Sequence, residues 1–221
     1  MKINYCEFPD GLLYDLDNAT WIKQTDGNLR IGITSILAWS SGAIFAVTFK
    51  PIGTEVRRGQ VVGSVEGPTH FDVVRAPVSG SVSALNESLR GEPKLLNKDP
   101  YGAGWFCEIE PYDRAELIVL KAMPEAQPLI AQQLQQRRVH CFAEFPDQEM
   151  FEIGVECSAV LVELNQLLAK SLEGTVFHIV SDDPTADIEM QRWSDQTKNP
   201  VLETRREGNL YHFIVKKKER G

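Results

Sequence analysis

The hydrophobic pattern of this 221-residue chain changes once, near residue 112, and that change limits which folds the chain can adopt. Before this point the apolar residues form short runs separated by Gly, Pro, Asn and Asp. After it, apolar residues also recur at helical spacing. Short runs rich in Val, Ile and aromatic residues are typical of strands, and a 3.6-residue recurrence is typical of amphipathic helices. We therefore expect a β-rich part followed by a part that contains helices.

The β-rich part predicts an all-β barrel or sandwich with short helices. Its strand-like runs are LRIGIT, AIFAVTF, QVVGSVE, FDVVRAPV, GSVSAL and WFCEIE. The segment from Ser35 to Ser41 is a candidate short helix. We place this domain at residues 1–115.

Residues 116–138 predict a helical connector. Five apolar residues recur at helical spacing, namely Leu117, Leu120, Leu129, Ile130 and Leu134. Pro124 and Pro128 interrupt the pattern, so we expect two short helices.

Residues 139–221 predict an α/β two-layer sandwich with the element order βαβαββ. HCFAEF and FEIGV form the strand-like start, and SAVLVELNQLLAKSLEG follows as an amphipathic helix that stops near Gly174. TVFHIVSDD predicts a strand, and the segment from Ala186 to Asp195 predicts a second helix. PVLETRREGNLYHFIVKK predicts a hairpin that turns at residues 207–209.

The charge of the chain argues against nucleic acid as a partner. The formal net charge is -8 and the pI is about 5.1, whereas nucleic-acid binding usually needs a basic face. One basic cluster, Lys216, Lys217, Lys218 and Arg220, is expected to be a solvated tail.

No apolar run reaches the length of a membrane span, and the first residues contain no apolar signal region. We therefore expect a cytoplasmic protein without a membrane partner. Its four cysteines, Cys6, Cys107, Cys141 and Cys157, have no CxxC spacing. In a reducing compartment they are expected to be free thiols, with no disulfide and no metal site.

Two long segments, GTEVRRGQVVGSVEGPTHFDVVRAPVSGSVSALNESL and EPKLLNKDPYGAGW, resemble the H protein of the glycine cleavage system and the wider lipoyl and biotinyl carrier fold. The resemblance implies a β-rich lipoyl-domain-like hybrid barrel-sandwich. It also implies a tight hairpin whose lysine carries lipoate on its ε-amine.

In the family pattern the lysine comes three residues after the glutamate that corresponds to Glu66, and this position holds Thr69. The chain has no lysine between Lys50 and Lys94. A threonine hydroxyl cannot replace the amine in that amide, so we predict that lipoate is absent and that no cofactor is bound. Two interpretations of Thr69 and His70 stay open: a new contact site, or a turn that has drifted.

FEIGVECSAVLVELNQLL, followed by GTVFHIVSDDPTADI and LYHFIVKK, resembles the TusA family of sulfur carriers. That family opens its first helix with Cys-Pro-x-Pro, and here Cys157 is followed by Ser158, Ala159 and Val160. The resemblance implies that Cys157 is the sulfur-carrying thiol. A helix N-terminus favours thiolate, whereas Glu156 disfavours it. The alternative is a buried structural cysteine.

Three functions follow from these resemblances. The first is a sulfur carrier or relay through a persulfide on Cys157, with sulfurtransferases or enzymes of lipoate or sulfur metabolism as partners. The second is a non-catalytic interaction protein whose carrier sites are both degenerate. The third is a lipoyl carrier of a glycine cleavage-type complex, against which Thr69 argues. Classical enzyme activity has little support, and we expect sulfurtransferase-like chemistry at most.

Overall fold

The computed structural model describes residues 1–68 and 70–219. It divides the chain into two compact units, Met1–Cys141 (unit 1) and Phe142–Gly221 (unit 2). The predicted boundaries differ, because residues 116–138, expected as a connector, lie within unit 1.

Unit 1 is built mainly of short antiparallel strands. These are Lys2–Ile3 (β1), Cys6–Glu7 (β2), Leu13–Asp15 (β3), Thr20–Gln24 (β4), Leu29–Ile33 (β5), Ala46–Phe49 (β6), Glu55–Val56 (β7), Val61–Glu66 (β8), Phe71–Arg75 (β9), Gly80–Leu85 (β10), Cys107–Pro111 (β11) and Lys121–Ala122 (β12). The helices are Ser35–Ser40 (α1), Ser88–Gly91 (α2), Leu95–Lys98 (α3) and Met123–Gln136 (α4), with a 3-10 helix over Arg114–Val119. The predicted β-rich fold with short helices is confirmed for this unit, apart from the longer α4.

The strands of unit 1 form two larger sheets and one small hairpin. The first sheet has the order β12-β3-β4-β5-β11-β10-β7, the second has the order β6-β8-β9, and β1 pairs with β2. One buried cluster draws residues from both larger sheets, such as Ile31 of β5 and Val65 of β8. Burying each such side chain contributes about 1.5–3 kcal/mol.

Phe106 connects the two sheets of unit 1. Its ring lies 4.7 Å from the ring of Phe49, measured between centroids. A Cβ at Gly63 would lie 2.7 Å from Cζ of Phe106. The glycine in β8 therefore leaves room for the Phe106 ring.

Helix α4 is an integral part of unit 1. Its buried side chains, Met123, Ala126, Ile130 and Leu134, recur every three or four residues on one face. They join a second buried cluster that includes Phe8 and Tyr14. The segment is not a linker because this apolar face is covered by the unit's own N-terminal residues.

The two prolines do not split α4 into two helices. Pro124 lies in the first turn, where the backbone N–H has no helical partner in any case. Pro128 lies one turn further on and removes a single i→i−4 hydrogen bond. The continuous apolar face compensates for that loss.

The expectation that all four cysteines are free is wrong for one pair. Cys6 and Cys141 form a disulfide, with their Cα atoms 5.0 Å apart. Cys107 and Cys157 are free and buried. The bonded cysteines are 135 residues apart in sequence, and they meet only because β2 and the segment after α4 join the same buried cluster.

Unit 2 has the predicted order of elements. It contains Gln148–Glu152 (β13), Cys157–Lys170 (α5), Val176–Ser181 (β14), Ala186–Thr197 (α6), Val201–Glu207 (β15) and Leu210–Lys216 (β16). The sheet order is β13-β14-β16-β15, with β13 parallel to β14 and the other pairs antiparallel. Helix α5 makes the crossover that two consecutive parallel strands require. The HCFAEF segment does not form the expected strand; it lies before β13 without a ladder.

Both helices of unit 2 cover the same face of the sheet. Leu164 of α5 and Trp193 of α6 share a buried cluster with Phe177 and Phe213 of the central strands. The two-layer prediction is therefore confirmed.

The C-terminal basic cluster is not simply a solvated tail. Lys217 Nζ donates to the carbonyl oxygens of Leu168 and Ser171 at 2.6 and 2.7 Å, at the end of α5. Lys218 Nζ donates to the Thr197 carbonyl at the end of α6. Cations here satisfy terminal carbonyls and oppose the negative end of the helix dipole. Arg220 lies outside the described residues.

Within residues 1–68 and 70–219, none of the helices has the length and apolar character needed to cross a membrane.

Candidate functional site

The turn between β8 and β9 lies where the H-protein resemblance predicts the carrier hairpin. The strands pair antiparallel, with Glu66 opposite Phe71. The Gly67 N–H donates to the His70 carbonyl at 2.9 Å and closes the turn. Thr69, the residue predicted at the lysine position, lies outside the described residues.

The end of α1 fixes the position of this turn. A Cβ added at Gly67 would overlap the carbonyl oxygen of Ser41, which follows α1. Ser41 Oγ also lies 3.1 Å from Asp72 Oδ2, in hydrogen-bond geometry. Only glycine allows this close approach of the two backbones.

Asn97 holds the loop that leads from α1 to β6. Its Oδ1 accepts from the Ile44 N–H at 2.9 Å, and its Nδ2 donates to the carbonyls of Ala38 and Gly42 at 2.6 and 2.9 Å. The longer-range role of Asn97 carries no local sequence signal, because its partners are more than 50 residues away.

Two exposed aromatic rings lie beside the turn. The Phe45 N–H, just before β6, donates to the Glu66 carbonyl at 2.9 Å. Phe71 of β9 lies opposite Glu66 in the β8–β9 ladder, so the two aromatic residues flank Glu66. Their side chains are 55% and 65% exposed. Sequence patterning placed both residues in strands but gave no sign that their rings face solvent.

The hairpin sequence from Glu66 to Phe71 contains no lysine. The preceding lysine, Lys50, bonds through its backbone to Val62. Val62 lies four residues before Glu66, or about 13 Å along the strand. The backbone of Lys50 is therefore at the opposite end of β8 from the turn.

Cys157, the predicted sulfur-carrying residue, is the first residue of α5. Its backbone N–H donates to Asp183 Oδ2 at 2.7 Å, while the residue is only 2% exposed. Burial, with smaller contributions from the Asp183 and Glu189 carboxylates, raises the pKa of the thiol to about 11. These effects outweigh the helix N-terminus, which would favour thiolate.

The β8–β9 turn and Cys157, the two predicted carrier sites, belong to different units. Among the side chains of residues 1–68 and 70–219, no group of three or more His, Cys, Asp or Glu is arranged to hold a metal ion.

Unit 1 belongs to the class of small β-rich domains that present a tight hairpin at the end of a sheet. The family model of the glycine cleavage H-protein matches residues 12–133. This match covers more than half of the chain, which therefore belongs to the glycine cleavage H-protein family. The match also includes most of α4, in agreement with the place of that helix in unit 1.

Several known proteins are similar to this chain. Glycine cleavage system H protein 5 of Aquifex aeolicus is 33% identical over 145 residues, covering 63% of this chain and 98% of that protein. The glycine cleavage system H protein of Micrococcus luteus is 40% identical over 111 residues, covering 49% of this chain and 86% of that protein. A crystal structure of a glycine cleavage system H protein from Mycobacterium marinum aligns with a TM-score of 0.49 and 26% identity, over 60% of this chain and 100% of that one.

Proposed function

We propose that this chain is a non-lipoylated member of the H-protein family that docks on proteins through the hairpin end of unit 1. The observation that carries the proposal is a turn fixed by α1 at the family's carrier position whose sequence contains no lysine. Lipoate attachment needs a primary amine that can form an amide. Glu66, Gly67, Pro68, Thr69 and His70 supply none, so these residues do not fit the group.

The exposed rings beside the turn support a docking role. Phe45 and Phe71 present apolar surface around the acidic Glu66, and aromatic side chains are frequent anchors of protein interfaces. The partner that fits best is an enzyme that also recognises the hairpin of lipoylated H proteins. The relatives are named as proteins of the glycine cleavage system, so enzymes acting on H proteins in that system are the first candidates.

A competition assay tests the docking role. A lipoate ligase would be given an unmodified H protein that has the lipoyl lysine, together with increasing amounts of this chain. We expect this chain to inhibit lipoylation of the H protein, and excess H protein to relieve the inhibition. The variant Phe71→Ser should inhibit several-fold less. The matched control is Ile52→Ser, since Ile52 is 61% exposed but follows β6 at the end remote from Phe45. Equal inhibition by both variants, or none by the wild type, would contradict docking at the hairpin.

Intact mass tests the absence of lipoate. Wild-type protein from its native host should carry no lipoyl adduct, whereas Thr69→Lys should gain one when incubated with ligase, lipoate and ATP. A lipoyl adduct on the wild type would instead establish the carrier function in a glycine cleavage-type complex, which family membership makes the main competing hypothesis. Failure of Thr69→Lys to be modified would show that the turn is no longer recognised.

The sulfur-carrier hypothesis for Cys157 has weaker support from the site geometry. In that reaction the Cys157 thiolate attacks the outer sulfur of a donor persulfide, forms Cys157–S–SH and releases the donor thiolate. Burial and the raised pKa of the thiol oppose the first step. A gain of sulfur mass after exposure to a persulfide donor, lost in Cys157→Ala, would restore this hypothesis and its sulfurtransferase partners. The TusA resemblance of unit 2 stays a prediction.

A further inference from the structure

Unit 2 contains a hydrogen-bonded pair of histidines on its central strands, β14 and β16. His178 Nε2 lies 3.0 Å from His212 Nδ1, and the two rings are nearly parallel, with centroids 5.3 Å apart. The two histidines lie in the strand-like runs TVFHIVSDD and LYHFIVKK of the sequence. The diagonal strand register, with Val180 opposite His212 and His178 opposite Ile214, brings the two rings together.

Carboxylates lie at both ends of the pair. His178 Nδ1 is 3.1 Å from Glu149 Oε1 of β13, and His212 Nε2 is 4.0 Å from Glu207 Oε2 of β15. Hydrogen bonding to His178 lowers the pKa of Glu149. The four titratable groups Glu149, His178, His212 and Glu207 therefore lie in a row.

An aromatic ring and a cation cover this row of four titratable groups. The Phe142 ring centroid lies 4.5 Å from that of His178 and 5.9 Å from that of His212. The Arg205 guanidinium lies 4.5 Å from the Phe142 ring centroid, and it pairs with Glu203 and Glu207.

A further ion pair involves β16, the strand that contains His212. Lys216 of β16 pairs with Glu144 at 2.9 Å. The charged groups near the histidines include residues of β13, β15, β16 and the segment before β13.

The geometry limits how many protons the pair can hold. A hydrogen bond between two imidazoles needs an N–H on one ring and a lone pair on the other. Two fully protonated rings would oppose N–H to N–H and place two cations side by side. His178 is only 5% exposed, so water cannot replace the lost bond without an opening of the sheet.

We propose that the His178–His212 pair is a one-proton switch that causes the face of the unit 2 sheet opposite α5 and α6 to open in acid. The closed form holds at most one proton beyond the neutral pair, whereas the opened form holds two. Arg205, whose guanidinium lies over the Phe142 ring, adds to the repulsion of the second proton, and Glu149 and Glu207 stabilise the first. The second proton breaks the Nε2–Nδ1 hydrogen bond and releases the Phe142 ring.

The sign of the pH dependence follows from the proton count. The opened form binds the extra proton, so acid shifts the equilibrium toward opening. For one additional proton in the opened form, the opening constant should rise by up to tenfold for each unit that the pH falls.

Amide hydrogen exchange on the full chain, followed by mass spectrometry between pH 7.5 and 5.0 and corrected for intrinsic rates, tests the switch. In the wild type, opening of the β14 and β16 peptides should increase as the pH falls over this range, by up to tenfold per pH unit. His212→Gln keeps an acceptor for His178 and removes the second titrating ring, so its opening should change little. His70→Gln, in the exposed turn of unit 1, is the matched control and should behave as the wild type.

An equal acid response in the wild type and His212→Gln would overturn the proposal. If His212→Gln does not fold, nitrogen-15 NMR of the wild-type histidine rings gives a second test. Detection of both rings as imidazolium while β14 and β16 amides keep their protection would also overturn it. Loss of protection that accompanies the second protonation would support it.

Discussion

The backbone of Gly67 in the β8–β9 turn lies directly against the carbonyl group of Ser41 at the end of α1, with no room for a side chain between them. This contact positions the hairpin on which the proposed docking function depends. The two residues are 26 positions apart in the sequence, so the contact depends on tertiary packing.

Replacing Gly67 with Ala should destabilise unit 1. The new methyl group would force the turn away from Ser41, at a cost of about 1–3 kcal/mol, measurable by urea unfolding. The control is Gly91→Ala, because a Cβ there meets no neighbouring atom; it should be neutral or slightly stabilising. Equal stability of both variants would mean that the turn can move without loss.

Cys157 should resist alkylation in the folded protein. With the thiol pKa raised to about 11, only about one molecule in a thousand carries a thiolate at pH 8. Iodoacetamide should therefore modify Cys157 at least a hundredfold more slowly than a cysteine in a short peptide. The rate should rise about tenfold per pH unit up to that pKa. The same measurement on Cys157→Ser gives the contribution of Cys107, which is then subtracted. Rapid labelling of Cys157 at pH 7 would contradict the prediction and reopen the persulfide hypothesis.

Asp183 should stabilise unit 2 as a carboxylate. Its oxygens accept from the backbone N–H groups of Cys157 and Thr185 at 2.7 Å, and these bonds lower the pKa of Asp183. A lowered pKa in the folded state means that the stabilisation is present at neutral pH and is lost as the pH falls through the carboxyl range.

We therefore expect Asp183→Ala to lower the melting temperature at pH 7, with a smaller difference from wild type near pH 2. Differential scanning calorimetry over this range measures it. Asp187→Ala removes an exposed carboxylate from the first turn of α6 and serves as the charge-matched control. A pH-independent difference between Asp183→Ala and wild type would show that the carboxylate charge is unimportant.

Reduction of the Cys6–Cys141 disulfide should destabilise unit 1 by about 2–5 kcal/mol, because the bond closes a long loop in the unfolded chain. Denaturant unfolding with and without a dithiol reductant measures the effect. Cys6→Ser should have the stability of the reduced protein and should not respond to reductant. A thiol titration that finds four free cysteines in the denatured, unreduced protein would contradict the bond.

The strand and helix content followed closely from local patterns. Runs such as QVVGSVE and FDVVRAPV became β8 and β9, and the amphipathic run after Cys157 became α5. Patterns failed where a strand needed a partner. HCFAEF has the composition of a strand, yet it forms no ladder, because β-structure exists only as pairing with another segment.

The candidate site shows the same division. The absence of lysine from the hairpin is a property of the sequence alone, and so is the position of Cys157 at a helix start. The low exposure of Cys157, by contrast, comes from residues of α5, α6 and the sheet packing around it. Its raised pKa is thus a tertiary effect that overrides the local influence of the helix terminus.

The sequence by itself determined the β-rich family fold of unit 1, the element order of unit 2 and the lack of an amine at the hairpin turn. These features depend on residues near one another along the chain. The tertiary structure alone decided that α4 belongs to unit 1, that Cys6 meets Cys141, and that His178 bonds to His212. Each of these joins segments far apart in sequence, and their contact depends on the packing of the whole unit rather than on any local pattern.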